Sequence, residues 1–250
     1  MSEEVKKFFD DEVVAYSNLF GSEKSGATYN FRRRAFLVGK MLQGAKGRFL
    51  DCATGSGEVS RAAIVAANFT NVTLVDISKK MLKKSESVVG EIFPSQSIFY
   101  EEGDIFQKLE DYAAERRKFD VVLCAGLIAH TGRLDELFSG IDRVLATEGT
   151  IVLQSTLSGH LGTVVTRALT AERYRRSKGY AISYFTRHAI LEVAKSHGWI
   201  LREEKHFSLG IPFADRFFPT INWWFESRLK KFSERWGSEA LFRFSRGVQR

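Results

Sequence analysis

Ten residues constrain this 250-residue chain more than any others: Phe49, Leu50, Asp51, Cys52, Ala53, Thr54, Gly55, Ser56, Gly57 and Glu58. A short apolar run closes on Asp51, a turn holding Gly55 and Gly57 follows at once, and helix-forming residues begin at about Glu58. Strand, glycine turn and helix in that order open a βαβ unit, and the turn after such a strand is where open α/β sheets bind ligands. Gly55 and Gly57 let the backbone turn sharply and approach a ligand with no Cβ in the way.

The remainder of the chain extends this unit. Apolar, β-branched runs at 48–53, 72–76, 97–100, 119–124 and 149–154 alternate with helical windows at 58–67, from Ser78 through Met81 to Val89, and at 134–145. Continuous rather than alternating runs predict parallel strands buried on both faces, hence an α/β, doubly wound, mostly parallel sheet flanked by helices. Ahead of it, Val5, Phe8, Phe9, Val13 and Tyr16 form one helical stripe, and after a Gly/Ser break at 21–26 a second helix covers about 29–42. Beyond the fifth run come an arginine-rich, partly helical insertion at 159–184, a helix at 185–197 and a strand at 199–209. The tail, with Phe217, Phe218, Trp223, Trp224, Phe225 and Leu229, predicts an amphipathic helix with an aromatic face, and 241–245 reads as a poor final strand. The expected organisation is one domain: a helical lid at 1–45, a ligand-binding core at 46–158, and a substrate-side insertion and C-terminal segment at 159–250.

Asp76 closes the second strand about 20 residues after the turn, where an acid meets the ribose hydroxyls of nucleotide-like ligands. Asp104 follows the third strand, where an adenine edge would lie. A dinucleotide fingerprint wants a third small residue where Ser60 stands and needs no acid before the turn, so Asp51 and Ser60 disfavour a nicotinamide oxidoreductase. Read together, Asp51 to Gly57, Asp76, Asp104 and the fourth strand at 119–124 resemble the class I S-adenosylmethionine-dependent methyltransferases, particularly those of quinone biosynthesis. The resemblance covers residues 1–155 well and the rest loosely. The family's D-x-G-x-G-x-G motif stands here with Ala53 in place of its first glycine, which crowds the methionine pocket slightly. A Rossmann-like fold and S-adenosylmethionine as cofactor, giving S-adenosylhomocysteine, are what the resemblance implies. It further implies cofactor contacts from Asp51, Ala53, Thr54, Gly55, Gly57, Asp76, Ile77, Met81, Asp104, Ile105 and Ala125, with Tyr16 and Arg33 contributed by the N-terminal lid.

Methyl transfer is an in-line displacement at a carbon already activated by a sulfonium, so the protein needs alignment, exclusion of water and sometimes a base, but no metal. His130, just beyond the fourth strand, is the candidate base, and the alternative is a histidine that satisfies loop backbone groups. His160 opens the insertion and is a second candidate on the substrate side. Of Arg32, Arg33 and Arg34, at most one is expected to point inward. Arg173 and Arg176 could grip an anionic acceptor, or could belong to a solvated basic helix.

The charge distribution bears on partners. Residues 161–250 hold 17 Lys+Arg against 8 Asp+Glu, within a formal net charge of +7. That favours an anionic small-molecule acceptor or anionic lipid headgroups, with peripheral membrane contact through the aromatic and basic tail. Nucleic acid is disfavoured by the absence of an appended RNA-binding module. No apolar run reaches the roughly 18 residues of a membrane span, the N-terminus has no signal-like core, and Cys52 and Cys124 read as buried thiols of a reducing compartment, so a cytoplasmic monomer or homodimer is expected. O-methylation of a biosynthetic intermediate, anionic or lipid-linked, is the leading expectation. N-methylation of a small molecule or RNA, and a non-catalytic cofactor-binding partner protein, are the alternatives.

Overall fold

The computed structural model describes residues 3–21, 23–90 and 97–247. Along the chain run α1 (Glu3–Asp11), α2 (Val13–Asn18), α3 (Gly26–Met41), β1 (Lys46–Asp51), α4 (Glu58–Ala66), β2 (Asn68–Asp76), α5 (Lys79–Gly90), β3 (Ser97–Glu102), α6 (Ile105–Ala114), β4 (Phe119–Ala125), α7 (Leu127–Thr131), α8 (Leu134–Val144) and β5 (Leu145–Thr156). The substrate-side third adds α9 (Leu161–Lys178), α10 (Arg187–Ser196), β6 (Trp199–Phe207), α11 (Ala214–Phe217), α12 (Pro219–Arg228), α13 (Lys230–Trp236) and β7 (Glu239–Arg246).

Seven strands form one sheet in the order β3-β2-β1-β4-β5-β7-β6, parallel except for β7. The order reverses between β1 and β4, so their carboxyl ends open the crevice in which such sheets bind ligands. Successive residues of each strand point to opposite faces and build two cores. Phe49, Leu74, Val152 and Leu241 pack with α3 and α4 on one side. Leu50, Val122, Leu153 and Phe242 pack with α6, α8 and α10 on the other. This is the doubly wound Rossmann-like sheet expected from the sequence.

Two helices, α6 and α7, arise where none was expected, and three further elements differ from expectation. The first stripe is two helices, because the backbone leaves helical geometry at Glu12 (φ −96°, ψ 6°). The supposedly poor final strand is an eight-residue strand inserted between β5 and β6. An interior strand is buried on both faces and need not alternate, and Ala240, Leu241, Phe242 and Phe244 are all fully buried. Arg243 escapes that burial along the sheet, pairing with Glu203 of β6 at 3.2 Å. Finally, the aromatic tail is three short helices, not one.

Candidate active site

The glycine turn is built as its composition demands. Gly55 and Gly57 have φ of +54° and +93°, a region open to glycine at little cost. A Cβ on Gly57 would lie 2.8 Å from the Ser85 backbone, so α5 seals the turn from behind. Thr54 ties the same wall together: its hydroxyl meets Ser60 Oγ at 2.7 Å and Ser85 Oγ at 3.1 Å. Ser60 Oγ donates in turn to Asp51 Oδ2 at 2.7 Å, while Ala53 N donates to Oδ1 at 3.2 Å. Ser60, read in the sequence only as an argument against a dinucleotide, therefore holds the motif's acid.

Asp76 sits beside the turn with both oxygens engaged. Gly55 N donates to Oδ2 and Ser78 N to Oδ1, each at 2.8 Å. Burial pushes the carboxyls of both Asp51 and Asp76 up to about 6. The ionised form is the one that accepts from hydroxyls and faces a cation. Cofactor affinity is therefore expected to be full above pH 6 and to fall as the pH drops through about 6, a dependence that titration calorimetry across pH 5–8 checks. Stability runs the other way. Each carboxyl is raised above its ordinary 3.8 in the fold, so its contribution to folding is present below that value and is lost as pH rises through about 6.

Phe9, Tyr16, Ala53, Gly55, Asp76, Ile77, Ala125, Gly126, Leu127 and His130 enclose a cavity of about 50 Å³ over the turn. The structure thus brings together Tyr16, Ala53, Gly55, Asp76, Ile77, Ala125 and His130. Other expected contacts stand apart. Met81 and Ile105 are fully buried in the core, and Asp51 and Thr54 lie beneath the turn instead of lining the cavity. Asp104 caps α6, accepting from Phe106 N at 2.9 Å. The lid itself is tied down: Ser78 Oγ donates to Asp10 Oδ1 at 2.6 Å, and Lys6 pairs with Glu102 at 3.1 Å.

Among the arginines of α3, the inward-facing one is Arg34 rather than Arg33. Arg34 falls on the buried stripe with Leu37, Val38 and Met41, whereas Arg33 turns away to pair with Glu234 at 2.5 Å. Arg34 donates to Tyr16 Oη at 3.1 Å, and its guanidinium stacks over Phe31. Among the described residues, its buried Nε and the buried Gln154 Oε1 have no hydrogen-bond partner. Both residues line a second cavity of about 330 Å³, which shares Tyr16, Gly126 and His130 with the first. A buried guanidinium with donor capacity to spare, beside the glycine turn, suits the carboxylate of an amino-acid-bearing cofactor.

A third cavity of about 600 Å³ continues outward and shares Thr156, Ser208 and Glu239 with the second. Its wall includes Thr163, Thr166 and Thr170 of α9 together with Ser208, Ser238 and Arg216. Glu239 reaches this place because β7 is antiparallel: its first residue pairs with Thr156, the last of β5. Thr156 Oγ1 donates to Glu239 at 2.7 Å, Gln154 Nε2 donates as well, and burial raises the carboxyl above its ordinary range. Nothing local in the sequence points to Glu239, because its place depends on the antiparallel pairing of β7 with β5. His160, expected on the substrate side, instead accepts from Gly162 N at 3.2 Å and fastens its own loop. Arg176 pairs with Glu172 on the exposed side of α9, and the side chain of Arg173 lies outside the described residues.

With this geometry established, comparison with known proteins decides the family. A family model described as a methyltransferase domain matches residues 43–196, more than half of the chain. The chain belongs to the class I S-adenosylmethionine-dependent methyltransferases. This methyltransferase uses S-adenosylmethionine as cofactor. Its fold is shared by the magnesium protoporphyrin IX methyltransferase (ChlM) from Synechocystis PCC 6803 with bound SAH, at 15% identity and a TM-score of 0.65 over 97% of this chain and 98% of that one. It is shared also by the cyclopropane synthase MmaA2 from Mycobacterium tuberculosis, at 16% identity and a TM-score of 0.62 over 98% and 95% of the two chains. No curated protein matches the sequence.

Proposed function

We propose that this methyltransferase transfers a methyl group to an oxygen of a small-molecule acceptor seated in the second and third cavities, with His130 between acceptor and cofactor. The observation that carries this reading is the continuity of the three cavities: His130 and Gly126 border both the first and the second, and Glu239 both the second and the third. The cofactor, when bound, supplies the activated methyl. The chain's own residues do the rest. Asp76 would hold the ribose hydroxyls, and Arg34 the methionine carboxylate. Phe9 and Tyr16 exclude water from the transfer path.

A hydroxyl acceptor gains nucleophilicity when its proton is taken during attack. His130 Nδ1 lies 2.8 Å from Tyr180 Oη, and the Phe9 ring packs edge-on at 4.9 Å, so the imidazole is fixed between lid and insertion. In the tautomer whose Nδ1–H donates to Tyr180, Nε2 is the basic nitrogen. Glu239 would accept a hydrogen bond from a second polar group of the acceptor and set its orientation. An amine acceptor is favoured by one observation alone, the carboxylate of Glu239, which would attract its charge.

His130→Ala is expected to lower kcat by on the order of 10²–10⁴, with a much smaller effect on cofactor affinity. Glu239→Gln is expected to act mainly on the KM of the acceptor. Acceptor screening with radiolabelled methyl donor, followed by steady-state kinetics of both variants, measures this. Full activity of His130→Ala rejects the base; an N-methylated product moves the reading to amines.

A further inference from the structure

The outer helices are built inside out. The residues that α12 buries are Asn222 and Glu226, and the one that α13 buries is Ser233. Outward, α12 presents Ile221, Trp224 and Phe225, and α13 presents Phe232 and Trp236, with Trp224 50% and Phe232 57% exposed. A helix on the surface of a water-soluble domain normally does the reverse. The inward polar groups are tied to the body of the domain. Glu226 accepts from Asn30 Nδ2 at 3.0 Å and from Leu209 N at 2.9 Å, and Asn222 Nδ2 donates to Asp215 at 2.9 Å. The apolar face is therefore held outward by a specific polar lock on α3.

Two neighbouring elements extend the patch and connect it to the acceptor cavity. On α9, Thr163, Thr166 and Thr170 face the 600 Å³ cavity, whereas Leu161 and Leu169 project outward at 76% and 67% exposure. Arg216 borders the same cavity, and the next two residues, Phe217 and Phe218, are more than 60% exposed. Exposed apolar residues thus stand on α9 and α11, which line the outer cavity, and on α12 and α13, which pack in turn against α11 and each other. Exposed apolar surface on this scale marks an interaction site.

Charge decides the occupant. Arg228, Lys230, Lys231 and Arg235 are exposed around the aromatic residues, while the exposed acid among them, Glu234, is shared between Arg33 at 2.5 Å and Lys230 at 3.8 Å. A second copy docking through the same patch would set like charges against like, since a two-fold interface opposes a surface to itself. Aromatic rings and leucines flanked by Lys and Arg are the composition that settles at the headgroup level of an anionic bilayer. No helix among the described residues is long and apolar enough to cross a membrane. We infer that the outward faces of α9, α11, α12 and α13 dock on an anionic lipid surface, placing the acceptor cavity at the bilayer so that an amphiphilic acceptor enters from it. The docking itself does not depend on the proposed chemistry at His130 and Glu239.

Co-sedimentation with phosphatidylcholine vesicles, with and without phosphatidylglycerol, tests it on the full chain. The protein is expected to pellet with the anionic vesicles, to shift its tryptophan emission to the blue, and to release at high salt. Trp224→Glu with Phe232→Glu, both at exposed positions, is expected to weaken binding at least about tenfold. Lys230→Gln, Lys231→Gln and Arg235→Gln together should weaken it roughly 100-fold, at about fivefold per charge. Titration with S-adenosylhomocysteine should be unchanged in both, showing an intact fold and a working cofactor site. Three results would overturn the inference: wild-type protein remaining in the supernatant with anionic vesicles, variants pelleting as well as wild type, or a dimer that Trp224→Glu dissociates without any vesicle binding. Loss of methyl transfer with vesicle binding intact would instead count against the proposed function.

Discussion

Asp76→Ala is expected to weaken cofactor binding by about 2–3 kcal/mol, or roughly 30- to 150-fold, measured by calorimetric titration with S-adenosylhomocysteine. Two losses act in the same direction. The ribose hydroxyls lose the acceptor proposed for them. Gly55 N and Ser78 N lose theirs too, because each donates to this carboxylate at 2.8 Å. With its Gly55 N–H unsatisfied, the glycine turn no longer holds the conformation in which Gly55 faces the cavity. Asp76→Asn should fall between wild type and alanine: the amide oxygen still accepts, but its NH₂ confronts a backbone N–H. Unchanged affinity in Asp76→Ala would remove the cofactor's ribose from this end of β2.

Phe242→Ala is expected to cost about 3–5 kcal/mol of unfolding free energy, the range for a large aromatic removed from a filled core. Phe242 is fully buried on β7, opposite Leu153 of β5, and its ring is nearly parallel to that of Phe244 with centroids 6.1 Å apart. Domains are stable by only about 5–15 kcal/mol, so this single change consumes a large share. The midpoint of thermal unfolding should drop by on the order of 10 °C. A loss under about 1 kcal/mol in urea titration would contradict the placement of β7 between β5 and β6. Any damage to activity would follow indirectly, since β7 also carries Glu239 to the site.

That double duty explains what could be read from the sequence and what could not. The glycine turn, Asp76 and the five parallel strands were legible because each is encoded locally: apolar run, acid, turn, helix. Arg34 was legible in principle. Its phase relative to Leu37, Val38 and Met41 puts it on the buried stripe. β7 was not legible, because a strand buried on both faces shows no alternation and an arginine in its middle resembles solvent exposure. Glu239 was lost with it, since an acid becomes part of this site only through antiparallel pairing with Thr156. The inverted tail was half legible. Its aromatic residues were plain, but which face they occupy depends on Asn222 and Glu226 being drawn inward by partners such as Asn30, 196 residues away from Glu226.

The lid has a consequence for the tempo of the enzyme. With Phe9 and Tyr16 in its wall, the proposed cofactor cavity measures about 50 Å³, far below the several hundred that pockets for ligands of this size offer. α1 is moored by Asp10 to Ser78 and Lys80, and by Lys6 to Glu102. Cofactor bound at the proposed site would enter, and spent cofactor leave, only while these moorings are released. The measured dissociation constant is then the intrinsic one divided by the fraction of time spent open, so a lid open one part in a hundred makes a tight site look about a hundredfold weaker. The same moorings that keep water out also meter the exchange of one cofactor molecule for the next, and they join catalytic fidelity and turnover speed in a single latch.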